Sequence, residues 1–173
     1  MVKKIPKDRR NQILDASSEA FSKLGFASTT TGYIAKQIAV SQPYLFHFFP
    51  TKVQLFLEVL ERGFSTIYDA FAQVEANKET LYLELGNVFD ELLKHQRNEI
   101  LLTMQAHTQN DTVILEAVRS NHLKIYQLIK SKFQQAGIEQ SDKEARNFIG
   151  MGLLIALSEQ LDLPELSPCC EEL

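Results

Sequence analysis

The chain has 173 residues, 45% of them hydrophobic and 23% charged, the make-up of an ordinary globular protein with one sizeable core or two small ones. No run of about 18 apolar residues occurs, so no membrane span is expected, and the charged start MVKKIPKDRR lacks the apolar stretch of a signal peptide. The net charge of −4 hides a division: residues 1–52 hold eight Lys+Arg against three Asp+Glu (+5), and residues 53–173 hold ten against nineteen (−9). A basic segment joined to an acidic body is the asymmetry of a nucleic-acid-binding module on a carrier domain.

The sequence is poor in glycine and proline and shows no long strand-like alternation, which predicts an all-α fold of eight or nine helices. The first helix carries Ile13, Ser17, Ala20, Phe21 and Leu24 on one face and ends at Gly25. Thr29, Thr30 and Thr31 offer a capping hydroxyl to a short second helix that buries Ile34, Ala35 and Ile38. Ala39, Val40 and Ser41 form a tight turn. Ser41 caps a second short helix, Gln42 to Phe48, where Pro43 is tolerated because the first turn has no intrahelical donor to lose. Thr51 to Gln54 reads as a capping box for a fourth, longer helix with Leu55, Phe56, Val59, Leu60, Phe64 and Ile67 inward. That helix is long enough to act as a lever between the two parts of the chain.

Further amphipathic helices are predicted over about 79–95, 98–108 and 112–136, the last with Val113, Leu115, Val118, Leu123, Tyr126, Ile129 and Phe133 inward and a break near Ser120-Asn121. Gly137 ends it. Ser141 to Glu144 reads as a capping box for a final helix to about Leu161, and Pro164 and Pro168 end regular structure ahead of an acidic tail. The only cysteines, Cys169 and Cys170, are adjacent in that tail. This leaves no disulfide framework and no CxxC spacing, and it points to a reducing, cytoplasmic compartment.

Two short helices joined by a three-residue turn are the geometry that brings one helix to the DNA major groove. The second of them is expected to expose Gln42, Pro43, Tyr44 and His47 while Leu45, Phe46 and Phe49 fill the buried face. Gln42 has the geometry to read adenine, Tyr44 suits a phosphate or a thymine methyl, and His47 can donate to a phosphate. Thr30, Thr31 and Gly32 start the preceding helix, where backbone amides and hydroxyls can hold a phosphate as well as cap. Lys52 opens the fourth helix, where a cation opposes the helix dipole unless a phosphate lies nearby.

Val40, Ser41, Leu45, Phe46, Phe48, Phe49, Pro50, Thr51 and Lys52, with Gly25-Phe26, Thr30 and Ile34-Ala35 upstream, resemble the TetR family of bacterial transcriptional repressors. The resemblance covers about 50 of the 173 residues. It departs at Ala39, where the family has glycine, at Phe46 (tyrosine), at Phe48 (often histidine) and at Gly32 (a longer polar residue). It implies a helix-turn-helix DNA-binding domain, residues 1–52, followed by a helical effector-binding and dimerisation domain, residues 53–173. It also implies phosphate contact by Lys52, double-stranded operator DNA as partner, a homodimer, and a small-molecule effector.

The final helix holds Phe148, Gly150, Met151, Gly152, Ile155 and Ala156 in an almost unbroken apolar run, and its glycines permit close helix approach. These six are expected at a dimer interface built as a four-helix bundle, with burial inside one chain as the alternative. Phe64, Tyr68, Phe71, Phe89, Met104, His107, His122 and Tyr126 either line a small-molecule cavity or pack as ordinary core. Glu91 and His95, at i and i+4, are read as a surface contact rather than a metal pair. No Ser/His/Asp, metal-ligand or phosphate-loop spacing points to an enzyme or to a cofactor. The rival to a DNA-binding regulator, probed by the charge division, is a helical interaction or ligand-binding protein that does not touch DNA.

Overall fold

The computed structural model describes residues 6–167; Cys169, Cys170, Pro168 and the acidic tail lie outside the described residues. Seven α-helices follow one another: α1 (Pro6–Ser28), α2 (Thr31–Gln37), α3 (Gln42–Phe48), α4 (Lys52–Gln73), α5 (Leu81–Gln105), α6 (Thr112–Gln135) and α7 (Ser141–Leu161). Two 3-10 turns, Ala106–Thr108 and Pro164–Leu166, complete the regular structure among the described residues. The all-α expectation holds, but the count is seven rather than eight or nine. The two helical stretches expected over 79–95 and 98–108 do meet at a break: α5 kinks at Gln96 (φ −135, ψ 35), and it counts as one element only because the stretches follow on directly across the kink. Beyond the kink Ile100, Leu101 and Leu102 are buried.

α6, by contrast, runs unbroken through Ser120-Asn121, where a break is expected. Asn121 is buried, donates to Glu61 (3.1 Å) and accepts from Lys124 (3.2 Å). An amide satisfied by side chains does not compete for the helix backbone. The inward face of α6 is Ile114, Val118, Asn121, Ile125, Ile129 and Phe133, a regular i, i+4, i+7, i+11 stripe. Val113 and Leu123, expected inside, are 57% and 51% exposed. The capping box expected at Ser141–Glu144 is absent: Gln140, in the left-handed region (φ 52), precedes α7 without a side-chain cap. Asp142 instead accepts from Tyr126, Lys130 and Arg146, tying the start of α7 to α6.

α4 is the axis of the molecule. Its Leu55, Phe56, Val59, Leu60, Phe64 and Ile67 are all buried, as the amphipathic pattern requires. At its start, Phe56 packs edge-on to Phe21 of α1 (4.9 Å between ring centroids) and against Phe26 (4.7 Å). In its middle, α4 and α5 touch backbone to backbone at Gly63. A Cβ there would lie 2.8 Å from Thr103 Cγ2 and 3.1 Å from the Glu99 carbonyl oxygen, so no larger residue fits without moving a helix. The neighbouring Arg62 bonds Asp15 of α1 (2.7 Å) and Glu99 of α5. One side chain on α4 thus links the first helix to the body.

Candidate nucleic-acid interface and effector cavity

Local chemistry sets the α2–turn–α3 unit. Gly25 takes φ +74 and breaks α1, and Thr29 Oγ1 donates to the freed carbonyls of Gly25 (2.7 Å) and Ala20 (3.2 Å). Thr30 caps α2 by accepting from the Tyr33 amide (3.1 Å). α2 closes when the amides of Ala39 and Val40 donate to the carbonyls of Lys36 (3.2 Å) and Ala35 (3.0 Å). That closure needs a left-handed residue, and here it is Ala39, at φ 53, rather than glycine. Ser41 then caps α3 by accepting from the Tyr44 amide (3.3 Å).

α3 is anchored by Leu45, and Phe49 just beyond it is also buried. Gln42, Pro43, Tyr44 and His47 all face outward, as expected. Phe46 faces outward too, at 37% exposure, so it belongs to the exposed surface rather than to the buried face. Its signal was in the spacing: with 45 and 49 inward, position 46 lies about 100° off that line. Tyr44 and His47 both pack edge-on to Phe48, at 5.3 and 5.6 Å, which limits their rotamers before any ligand arrives. Gln42 donates from Nε2 to Thr31 Oγ1 (2.8 Å), a bond that locks α3 onto α2 and leaves the amide oxygen beside Gly32. Tyr33, exposed at the start of α2, extends the aromatic surface and was not singled out from sequence.

The remaining candidates take other places. Thr31 is only 7% exposed and its hydroxyl is engaged by Gln42. Lys52 does not reach outward. Its Nζ donates to the carbonyls of Phe26 (2.8 Å), Thr29 (3.1 Å) and Ala27 (3.4 Å) and lies 4.4 Å from the centre of the Phe26 ring. The cation at the N-terminus of α4 therefore caps the carbonyl-rich end of α1, which offsets its unfavourable place on the α4 dipole.

A second feature lies in the body. A cavity of about 520 Å³ opens between α4, α5, α6 and α7. Phe71, Phe89, Met104 and His122 line it; Phe64, Tyr68, His107 and Tyr126 do not. Phe64 is buried beneath His122, edge-on at 5.1 Å. Tyr68 borders a smaller, separate depression. His107 bonds the Met104 carbonyl (2.7 Å) from the surface, and Tyr126 is held by Asp142. Phe148, Met151, Gly152 and Ile155, expected at a dimer interface, also line the cavity, and Ala156 is buried in the chain's own core. Of that group Gly150 faces open space, and Met151, although on the cavity wall, is 37% exposed. The exposed apolar stripe of α7 is Leu153, Leu157 and Leu161. Tyr82, Asn87 and Asp90 complete the cavity's polar lining and had no distinguishing sequence signal. Burial lowers the pKa of His122, with His107 adding to the effect, and burial raises that of Asp90.

Glu91 and His95 form an exposed pair at 3.3 Å, and no cluster of three or more metal-ligating side chains occurs among the described residues. No helix among them is long and apolar enough to cross a membrane. A short helix set forward by a tight turn, with its apolar side buried and an amide and aromatic surface outward, defines a helix-turn-helix DNA-binding protein. Residues 13–59 match the family described as bacterial regulatory proteins, tetR family. The chain is 30% identical over 153 residues to the nucleoid occlusion factor SlmA of Aliivibrio fischeri, covering 82% of this chain and 72% of that protein. It is 26% identical over 166 residues to the HTH-type transcriptional regulator YhgD of Bacillus subtilis, covering 87% and 82%. The crystal structure of AibR in complex with isovaleryl coenzyme A and operator DNA has the same fold, with a TM-score of 0.74 at 18% identity over 92% of this chain and 98% of that one. The chain belongs to the TetR family and is a DNA-binding transcriptional regulator.

Proposed function

We propose that this regulator is a cytoplasmic repressor that binds a pseudo-palindromic operator as a homodimer and is released by a small molecule in the α4–α7 cavity. In this reading residues 1–52 engage DNA and residues 53–173 dimerise and bind the effector. The outward face of α3 carries the DNA-binding part: Gln42, Tyr44, Phe46 and His47 are exposed while Leu45 beneath them is fully buried. Thr30, Gly32 and Pro43 flank that face at the helix starts.

The release mechanism rests on α4. The helix runs unbroken from Lys52, bonded to the end of α1, to Ile67 and Phe71 on the cavity wall, a span of about 28 Å. A ligand that displaces the cavity end swings the other end, and Arg62 couples the same movement to α1 and α5. In a dimer this changes the separation of the two α3 helices, and differential affinity for the two spacings is the coupling. The neighbouring fold of AibR, described with both an acyl-coenzyme A and operator DNA, supports the pairing of functions. Leu153, Leu157 and Leu161 on α7 supply the apolar stripe for the dimer. The likeness to SlmA supports a second reading, a DNA-bound factor that acts on nucleoid occlusion rather than on a promoter.

The test is a mobility-shift series against the chain's own upstream DNA. Gln42→Ala should relax preference at one base pair per half-site, by about 1–3 kcal/mol. Equal binding of all sequences by the parent chain would remove sequence reading from α3, and unchanged promoter output on deleting the protein would favour the occlusion reading.

A further inference from the structure

The cavity's charge pattern narrows the ligand. Its walls include the rings of Phe71, Phe89 and Phe148, and neither lysine nor arginine lines it. Its one carboxylate is Asp90, on α5. Among the described residues no side chain donates a hydrogen bond to Asp90, and the charges that reach it do not neutralise it. Lys94, one turn along α5, is bonded to Glu91 (2.7 Å), Glu91 itself is a like charge, and Glu159 on α7 is another, paired with Arg97 (3.2 Å). His122 faces the cavity from α6, and burial disfavours its charged form. An acid placed in an apolar wall without a partner costs stability. Here it leaves one site of negative potential among aromatic faces, which themselves attract cations.

We infer that the cavity takes a lipophilic monocation, an apolar body with one basic nitrogen or quaternary centre, and that Asp90 receives its charge. This rests on the cavity being the effector site. An acyl chain ending in carboxylate or phosphate would meet Asp90 with no lining cation to compensate. A neutral lipophile would fill the volume and leave the carboxylate unpaired.

Tetraphenylphosphonium and tetraphenylborate test the inference, since they match in size and shape and differ in the sign of their charge. Calorimetry on the full chain should show the phosphonium binding about tenfold or more tighter than the borate. Asp90→Asn should collapse that ratio towards unity, while Glu116→Gln, a surface carboxylate paired with Arg119, leaves it intact and so excludes the general acidity of the body. Gly152→Phe adds a ring to the cavity wall beside Phe89, whose ring a Cβ at 152 would already touch at 3.8 Å, and should abolish binding of either ion. A ratio unchanged in Asp90→Asn overturns the inference. Borate binding as tight as phosphonium, and lost in Gly152→Phe, overturns the ligand class while the cavity stands as the effector site. Binding of neither ion overturns both.

Discussion

Replacing Lys52 by alanine separates two accounts of the residue that opens α4. The structure spends the ammonium on three backbone carbonyls, two at 2.8 and 3.1 Å and a weaker one at 3.4 Å, with the Phe26 ring beneath it. Hydrogen bonds from a charged donor contribute about 1.5–3 kcal/mol each when well sheltered. This side chain is half-buried, so two good bonds and a cation–ring contact together come to about 2 kcal/mol after discounting for water. Removing it also leaves carbonyls at the end of α1 without a donor. Urea unfolding of Lys52→Ala should therefore show about 2 kcal/mol less stability, with an unchanged denaturant slope. DNA affinity should fall through a loosened α1–α4 junction while its dependence on salt keeps the parent slope. A phosphate contact would do the opposite: stability within about 0.5 kcal/mol of the parent and a log–log salt slope shallower by about 0.9 per lost contact. That second pattern would refute the capping account.

Three other outcomes follow from the geometry. Ala39→Gly should stabilise the chain by about 0.5–1 kcal/mol in thermal or urea unfolding, because alanine bears the cost of the left-handed turn that glycine avoids; a loss of stability would mean the turn is not strained. Leu157→Glu places a charge on the exposed α7 stripe, away from the cavity lining, and should give a folded monomer by sedimentation with weakened operator binding; a retained dimer would move the interface elsewhere. Burial holds the pKa of His122 below its ordinary value, so the unfolded chain takes up this proton first as pH falls. The stabilising difference is fully present above about pH 6.5 and is lost as pH drops from there through the lowered folded value. His122→Phe should flatten the stability–pH curve in that window, and an unaltered curve would assign the dependence to another group.

What could be read from sequence was local chemistry. The Ser41 cap, the three-residue turn and the bounds of α3 emerged as expected because each depends on a few neighbouring residues. The buried face of α4 emerged for the same reason, through a strong 3.6-residue period. Partners distant in sequence were not readable. Lys52 looked outward until the carbonyls 23 to 26 positions earlier were brought beneath it. Asn121 looked like a helix break until Glu61 satisfied it. The apolar run of α7 carried no mark of which side met its own core, so cavity-lining Gly152 and exposed Leu157 were indistinguishable. Asp90 had no motif at all; only its position in an apolar wall gives it meaning.

In the proposed function the outward face of α3 reads DNA from two symmetry-related copies. Selection of bound sequences from a random double-stranded pool tests it most directly. The account predicts enrichment of two inverted half-sites with centres about one helical turn apart, about 34 Å, and loss of preference at one base pair in each half when Gln42 is replaced by alanine. A pool that stays unenriched, or one enriched in a single unrepeated motif that Gln42→Ala leaves unchanged, would contradict it.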